Sequence, residues 1–198
     1  MQLDKIKTKM LGKRIKYFKE IPSTHIYAKE LVATLLDEKK ETENIVIIAD
    51  KQTKGIGTKG RNWYTGSGKN IAMTIILTPK CQIKQLENLT YEIAESMQKV
   101  ILDLYDIKLE IKEPNDLMLN NKKIGGILTE INTIGEKINY LLISIGFNVN
   151  EEMFSKEVEN IATSLKKEYN EQDFSRQEII VRFLEQLEEK LLEKKIEL

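Results

Sequence analysis

A chain of 198 residues with 41% hydrophobic and 31% charged side chains has the length for one domain with a full core and is too apolar to be disordered. Its 31 basic and 31 acidic side chains cancel, so no bulk field calls for nucleic acid or an anionic membrane. Cys81 is the only cysteine and His25 the only histidine, which excludes an intrachain disulfide and a cysteine zinc centre and leaves no ligand set for a histidine one.

Residues 1–14 read as a polar lead-in, without the apolar run of a signal peptide. No stretch approaches the ~20 apolar residues of a membrane helix, so a cytoplasmic protein is expected. Ile15-Lys16-Tyr17-Phe18 predicts a short strand that stops near Pro22. Ser23 stands at an N-cap position, and the spacing of Ala28, Leu31, Val32, Leu35 and Leu36 predicts an amphipathic helix over 24–37. The plain role of Ser23 is that cap. After a charged loop, residues 45–49 form a β-branched apolar run, the mark of a buried strand. The strand feeds a glycine-rich, expectedly mobile loop that ends at the only tryptophan, Trp63.

Two phosphate-binding lookalikes lie here, and both fail. Gly55-Ile56-Gly57-Thr58-Lys59-Gly60 fits G-x-G-x-x-G, but no helical period follows it. Gly66-Ser67-Gly68-Lys69 resembles the end of a P-loop, but its first glycine would fall on Trp63 and its last hydroxyl residue on Asn70.

Residues 70–78 alternate as a strand with Ile71, Met73, Ile75 and Leu77 on one face, ended by Pro79. Leu86, Leu89, Ile93, Met97, Val100, Ile101 and Leu104 make one stripe, which predicts the longest helix over 83–105, a core element. Ile107, Leu109 and Ile111 alternate as a strand leading into residues 111–130. There Leu117-Met118-Leu119 and Ile127-Leu128 flank Asn120-Asn121, a hairpin signal with Lys122 and Lys123 beside the tip. Pro114 biases Glu113 toward extended backbone and fixes how Asn115-Asp116 begin the hairpin. Cations and a carboxylate on a rigid turn beside apolar residues suit an anionic, metal-bound ligand. A solvated hairpin with surface lysines fits the same spacing.

A turn at Gly135 precedes an apolar strand over 140–147. Residues 151–159 are charged, a loop or short helix, before Ile161-Ala162-Thr163-Ser164-Leu165. Ser175 and Glu178 have capping-box spacing and open a last helix carrying Ile179, Ile180, Phe183, Leu184, Leu187 and Leu191. This order of elements predicts an α+β fold over 1–198, with a mixed, mostly antiparallel sheet and flanking helices.

Five stretches, in order, resemble the catalytic domain of biotin–protein ligases. They are Ser23-Thr24-His25, the loop from Gln52 to Trp63, Lys112-Glu113-Pro114-Asn115-Asp116-Leu117, Lys123-Ile124-Gly125-Gly126-Ile127-Leu128, and Gly146-Phe147-Asn148-Val149-Asn150 followed by Ala162-Thr163-Ser164-Leu165. The resemblance implies a class II aminoacyl-tRNA synthetase or biotin–lipoate ligase-like fold. It implies ATP-dependent formation of biotinyl-AMP and transfer of biotin to a lysine of a biotin carboxyl carrier protein, with ATP and biotin as substrates and Mg²⁺. Ser23, Thr24, His25 and Gln52 would meet the biotin ureido ring, with Gly57, Thr58, Gly125 and Gly126 beside it. Lys123 and Lys112 would be catalytic, clamping carboxylate and phosphate charge. Arg61, Trp63, Asn115 and Asn148 would hold the nucleotide, with Trp63 stacked on adenine, and Asp116 would touch the metal.

Three departures stand out. His25 replaces an asparagine, Glu113 an aromatic residue, and Ile56 and Thr58 two arginines that would embrace the adenylate. Losing those arginines removes charge-assisted bonds worth about 1.5–3 kcal/mol each, offset in part by Lys54, Lys59 or Arg61. The resemblance also implies a catalytic domain alone, without a helix-turn-helix or a C-terminal β-barrel, hence no operator binding, as a monomer or weak homodimer. A lipoate or octanoate ligase or transferase, and a non-catalytic biotin sensor, are the rival functions.

Overall fold

The structure, a computed structural model, describes residues 7–40, 42, 44–66 and 68–197, without the side chain of Lys59. Lys59 as a substitute for the lost arginines, and Ser67 in the P-loop lookalike, therefore lie outside the described residues, as does the first part of the lead-in.

Seven strands form one sheet: β1 (Arg14–Ile21), β2 (Ile45–Gln52), β3 (Ile71–Leu77), β4 (Glu110–Lys112), β5 (Asp116–Leu119), β6 (Lys122–Ile134) and β7 (Lys137–Phe147). Their spatial order is β1-β2-β3-β7-β6-β5-β4. Only β1 and β2 are parallel, joined across helix α1 (Thr24–Asp37); every other pair is antiparallel. The expected α+β fold with a mixed, mostly antiparallel sheet is the observed one. No helix among the described residues is long and apolar enough to cross a membrane.

Side chains alternate along each strand, so the sheet feeds two layers. On one face, Val46, Ile48, Met73, Ile75, Ile143 and Ile145 pack with helices α2 (Leu89–Tyr105) and α4 (Arg176–Glu193) in the larger core. On the other, Ile45, Ile47, Ile76, Tyr140 and Leu142 meet Ala28 and Val32 of α1 in a smaller cluster. Glu188 of α4 is buried at the back of the larger core, where its carboxylate accepts the backbone N–H groups of Lys9, Met10 and Leu11 at 2.6, 2.8 and 2.8 Å.

The predicted helix over 24–37 has the observed bounds, with Ser23 Oγ accepting the Ile26 N–H. The predicted helix over 83–105 is divided. A 3₁₀ turn, Ile83–Leu86, is closed by a reciprocal Gln82–Gln85 capping box, and α2 starts only after Asn88, at φ 61°. Leu86 and Leu89 are both buried on either side of the break, which is why the apolar stripe runs through it. α4, at 18 residues, is thus longer than α2, at 17. A short helix, α3 (Leu165–Glu168), capped by Ser164, is too brief to show a period.

The hairpin forms as predicted, with β5 and β6 joined by Asn120 and Asn121 at φ 49° and 62°, the left-handed geometry two-residue turns need. Its start differs from the expectation. Instead of an extended lead-in, β4 turns back through Glu113, Pro114 and Asn115 to pair with β5, and the Glu113–Pro114 peptide is cis.

Candidate active site

One cross-strand row on the α1 face explains where a ligand fits. Register pairs Ala49 with Ala72, Ala72 with Gly146, Gly146 with Gly126, and Gly126 with Asp116, which faces Lys112 in turn. Four successive strands thus offer nothing larger than a methyl group, and the row ends in charge. The adjacent row on that face is polar at its centre: Thr74 and Ser144 are direct partners on β3 and β7, flanked by Ile47 and Leu128. The first residues of α1, Thr24 and His25, close over them.

The loop from Thr53 to Thr65 covers this floor. It is tied by Trp63 N–H to the Gly55 carbonyl (2.8 Å), by Gly57 N–H to the Arg61 carbonyl (2.7 Å), and by a β-bridge from Thr65 to Gln52. Gly146 is the seat of the tryptophan: a Cβ there would lie 2.3–2.7 Å from the Trp63 indole. The indole Nε1 is buried without a hydrogen-bond partner. Trp63 divides the site. An inner cavity is lined by Thr24, His25, Ser144, Gly126, Ile127 and Leu128 among others. An outer cleft is lined by Lys54, Arg61, Asn148, Phe154, Val158 and Ile161 among others. Gln52, Ile56, Gly57, Thr58, Trp63 and Lys123 wall both.

Lys123 is placed with care. Its Nζ lies 2.6 Å from Asp116 Oδ1 and 5.6 Å from the centre of the Trp63 ring. Its backbone is clamped as well: Lys123 N–H donates to the Ile161 carbonyl at 2.8 Å and its carbonyl accepts from Thr163 N–H at 2.9 Å. Residues 161–163 thereby extend the sheet past the end of β7. They are held in turn by Thr163 Oγ1 on Glu168 and by Ser164 Oγ on the Glu151 carbonyl.

Hydrogen bonds organise the inner wall. Gln52 Oε1 accepts from Thr24 N–H (2.8 Å) and Thr24 Oγ1 (3.1 Å), while Gln52 Nε2 donates to Thr65 Oγ1 (3.2 Å). Thr24 Oγ1 accepts from Thr74 Oγ1, which meets Ser144 Oγ, each at 2.9 Å. Ser144 Oγ lies 2.9 Å from His25 Nδ1, and His25 Nε2 lies 3.2 Å from Glu130 Oε2. Lys29 Nζ holds the other Glu130 oxygen at 2.6 Å. Burial works to raise the Glu130 pKa, but the bonds from Lys29 and His25 outweigh it and hold the carboxyl below its ordinary range.

Residues 17–150 match the sequence profile of the Biotin/lipoate A/B protein ligase family. The chain belongs to this family. It is 34% identical over 164 residues to the bifunctional ligase/repressor BirA of Bacillus subtilis, covering 82% of this chain and 49% of that protein. It is 28% identical over 170 residues to the human biotin–protein ligase, covering 83% of this chain and 23% of that one. The biotin protein ligase of Aquifex aeolicus, solved in complex with biotin and ATP, superposes with a TM-score of 0.75 at 28% identity, over 91% of this chain and 71% of that one. The chain spans about half the length of the Bacillus relative. The class II synthetase-like fold of the biotin protein ligases is thus the fold of this chain.

Not every residue that the family resemblance singles out reaches a cavity wall. Thr24, His25, Gln52, Gly57, Thr58, Trp63, Asn115, Lys123 and Gly126 line the inner cavity; Arg61 and Asn148 line the outer cleft. Asn115 is already engaged, its Nδ2 donating to the Ile127 carbonyl at 2.9 Å, and Asn148 Nδ2 donates to the Thr163 carbonyl at 3.0 Å. Asp116 stands beside Gly126 as the partner of Lys123. Ser23, Lys112, Asp116 and Gly125 line neither cavity. Ser23 is spent on its cap. Lys112 is exposed on the edge strand β4, and Glu113 is exposed in the turn beside it. Gly125 faces the core: a Cβ there would meet Phe147 Cδ2 at 2.7 Å. Lys122, beside the hairpin tip, is half-buried, with its charge near Glu168. Sequence reasoning missed Thr74, Ser144 and Glu130. The available signal was a single hydroxyl within each apolar run, Thr74 in IAMTIIL and Ser144 in LLISIGF.

Proposed function

We propose that the chain joins biotin to ATP as biotinyl-5′-AMP and passes the biotin to the ε-amine of a lysine on a biotin carboxyl carrier protein. The observation that carries this is the position of Lys123, a paired cation on the wall shared by a flat-floored inner cavity and an outer cleft bearing Lys54 and Arg61. The names of the relatives support the same substrates: the Aquifex enzyme holds biotin and ATP, and the Paracoccus relative is a biotin–[acetyl-CoA-carboxylase] ligase.

In the first step a biotin carboxylate oxygen bonds to the α-phosphorus of ATP, and pyrophosphate leaves with the bonding pair. In the second, the carrier amine attacks the acyl carbon of the mixed anhydride, AMP leaves, and the amine gives up a proton. The chain needs no nucleophile of its own; it supplies position and charge. Gly146 and Gly126, where the row of alanine and glycine lines the inner cavity, are the floor for the bicyclic ring, and Thr24, Gln52 and Ser144 are the polar edge for its ureido group. Such an edge discriminates strongly, because a ligand without matching groups leaves it unpaired. Lys123 meets the carboxylate and the α-phosphate where charge gathers. Lys112, at the far end of the same row, and Arg61, over the outer cleft, take the remaining phosphate charge. Magnesium would enter with ATP as part of that substrate, and Asp116, beside Lys123, is the carboxylate that would meet it. Trp63 stacks on adenine once its indole leaves Gly146. Ile56 and Thr58, in place of two arginines, give a looser grip on the adenylate.

Incubating the chain with biotin, MgATP and a carrier domain tests the proposal. Intact mass is expected to rise by one biotin, on the carrier. Biotin binding without biotin-dependent ATP–pyrophosphate exchange would favour a sensor. Exchange driven by lipoate or octanoate instead would move the substrate within the family. For the grip, Thr58→Arg is expected to slow release of biotinyl-AMP; an unchanged off-rate would refute the role given to position 58.

A further inference from the structure

The hydroxyls at the inner wall form a chain whose direction can be counted. Thr24, Thr74, Ser144 and His25 are all buried, so bulk water does not supply alternatives. Each hydroxyl has one hydrogen to give. Gln52 presents an oxygen, because the Thr24 backbone N–H also points at it, so Thr24 Oγ1 donates to Gln52. Thr74 donates to Thr24. Ser144 must then donate to Thr74, and the one remaining donor for Ser144 Oγ is His25 Nδ1–H. The other ring nitrogen, Nε2, faces Glu130 Oε2. That oxygen belongs to a carboxylate whose other oxygen is paired with Lys29 Nζ at 2.6 Å, so it accepts and does not donate. Both ring nitrogens therefore carry hydrogen.

We propose that His25 works as an imidazolium that sets a one-way relay, His25 to Ser144 to Thr74 to Thr24 to Gln52, and leaves Thr24 and Ser144 as acceptors for the N–H groups of the ligand. The proposal rests on the inner cavity being the ureido site. His25 is a positioning residue here: it orients the hydroxyls, and the hydroxyls read the ligand. A neutral ring forces one of two defects. Either Nε2 turns a lone pair on the Glu130 carboxylate, or Nδ1 takes the Ser144 hydrogen and leaves the Ser144 and Thr74 oxygens to each other without one. An asparagine at position 25 would donate from an amide at every pH, so the substitution of histidine ties this pocket to protons.

The charged and titratable groups around the ring are Glu130 from β6, Lys29 from α1 and, beyond Lys29, Tyr140 from β7. Lys29 stays protonated, its pKa raised by its bond to Glu130, and Glu130 stays ionised, its own lowered by its bonds to Lys29 and His25 against the pull of burial, so neither partner changes charge near neutral pH. The sign follows: the binding form carries the extra proton, so affinity falls as pH rises.

Biotin, whose own carboxylate remains ionised throughout, is the probe for calorimetry between about pH 6 and 9. The dissociation constant is expected to rise with pH across this range, by up to about tenfold per pH unit. His25→Asn and Glu130→Gln should each flatten the profile, the first by an amide donor, the second by letting the ring keep Nδ1–H while Nε2 accepts from the new amide. Nitrogen-15 spectra of the single histidine, without ligand, should show two protonated ring nitrogens at neutral pH. A pH-independent affinity in the unmodified chain, or one protonated nitrogen at neutral pH, overturns the proposal. Should biotin fail to bind at any pH, the biotin assignment falls, and the ring spectrum alone decides the relay, two signals upholding it and one ending it.

Discussion

The two faces of the sheet are built to different ends. Toward α2 and α4 the strands present Ile, Leu, Met, Val and Phe in a continuous dry layer. Toward α1 they present a short apolar cluster, then hydroxyls, then a row of alanine and glycine that ends in charge. A sheet shaped to hold a ligand gives up apolar contact on one face, and the opposite face carries the stability for both.

Four substitutions test that contrast. Phe183 is fully buried on the packed face. Phe183→Ala should cost about 3–5 kcal/mol in urea unfolding, with unaltered biotin affinity in the folded fraction; a lesser loss would mean the packed face is not the store of stability. Lys123→Ala inverts the pattern. ATP–pyrophosphate exchange should fall by about 10²–10³-fold, while stability moves by less than about 1 kcal/mol because the Asp116 pair is partly solvated. Near-normal exchange would place the clamp elsewhere.

Asp50 stands at the rim of the packed face, accepting from Tyr17 and from Arg176 at 2.9 Å. Burial works to raise its pKa, but those bonds prevail and hold it below the ordinary carboxylate range. Its contribution is present above the unfolded-state value and lost as pH falls through the folded one. Asp50→Asn should therefore cost about 1–3 kcal/mol at neutral pH, with the gap to the unmodified chain closing in acid below about pH 4; a gap that persists there would contradict the linkage. The smallest effect belongs to Ser23→Ala. Loss of the cap should cost about 1 kcal/mol by thermal melting and weaken biotin less than Thr24→Ala does; the reverse order would return Ser23 to the ligand.

Local chemistry made much of this legible in the sequence. Asn120-Asn121 announced a hairpin, Ser23 announced a helix start, and the alternation of residues 71–77 announced a buried strand. What escaped was set by register. Gly125 and Gly126 are neighbours with one composition, yet one backs onto Phe147 and the other lines the cavity, because a single step along a strand changes faces. The same applies to Lys112 and Lys123, equal as motif lysines but one at the exposed edge and one between two cavities. Thr74 and Ser144 become a pair only through the β3–β7 alignment, which no window of sequence contains. The break before α2 escaped for the opposite reason: Leu86 and Leu89 keep the period while the backbone does not.

The row Ala49, Ala72, Gly146 and Gly126 has a consequence for how this chain can vary. A glycine has no smaller replacement and an alanine only glycine, so substitution at these four positions almost always adds atoms. Where the row lines the inner cavity, at Gly146 and Gly126, the floor can be filled by drift but hardly deepened. Room for a different substrate must therefore come from the walls, from Ile127, Leu128 and the loop that carries Trp63.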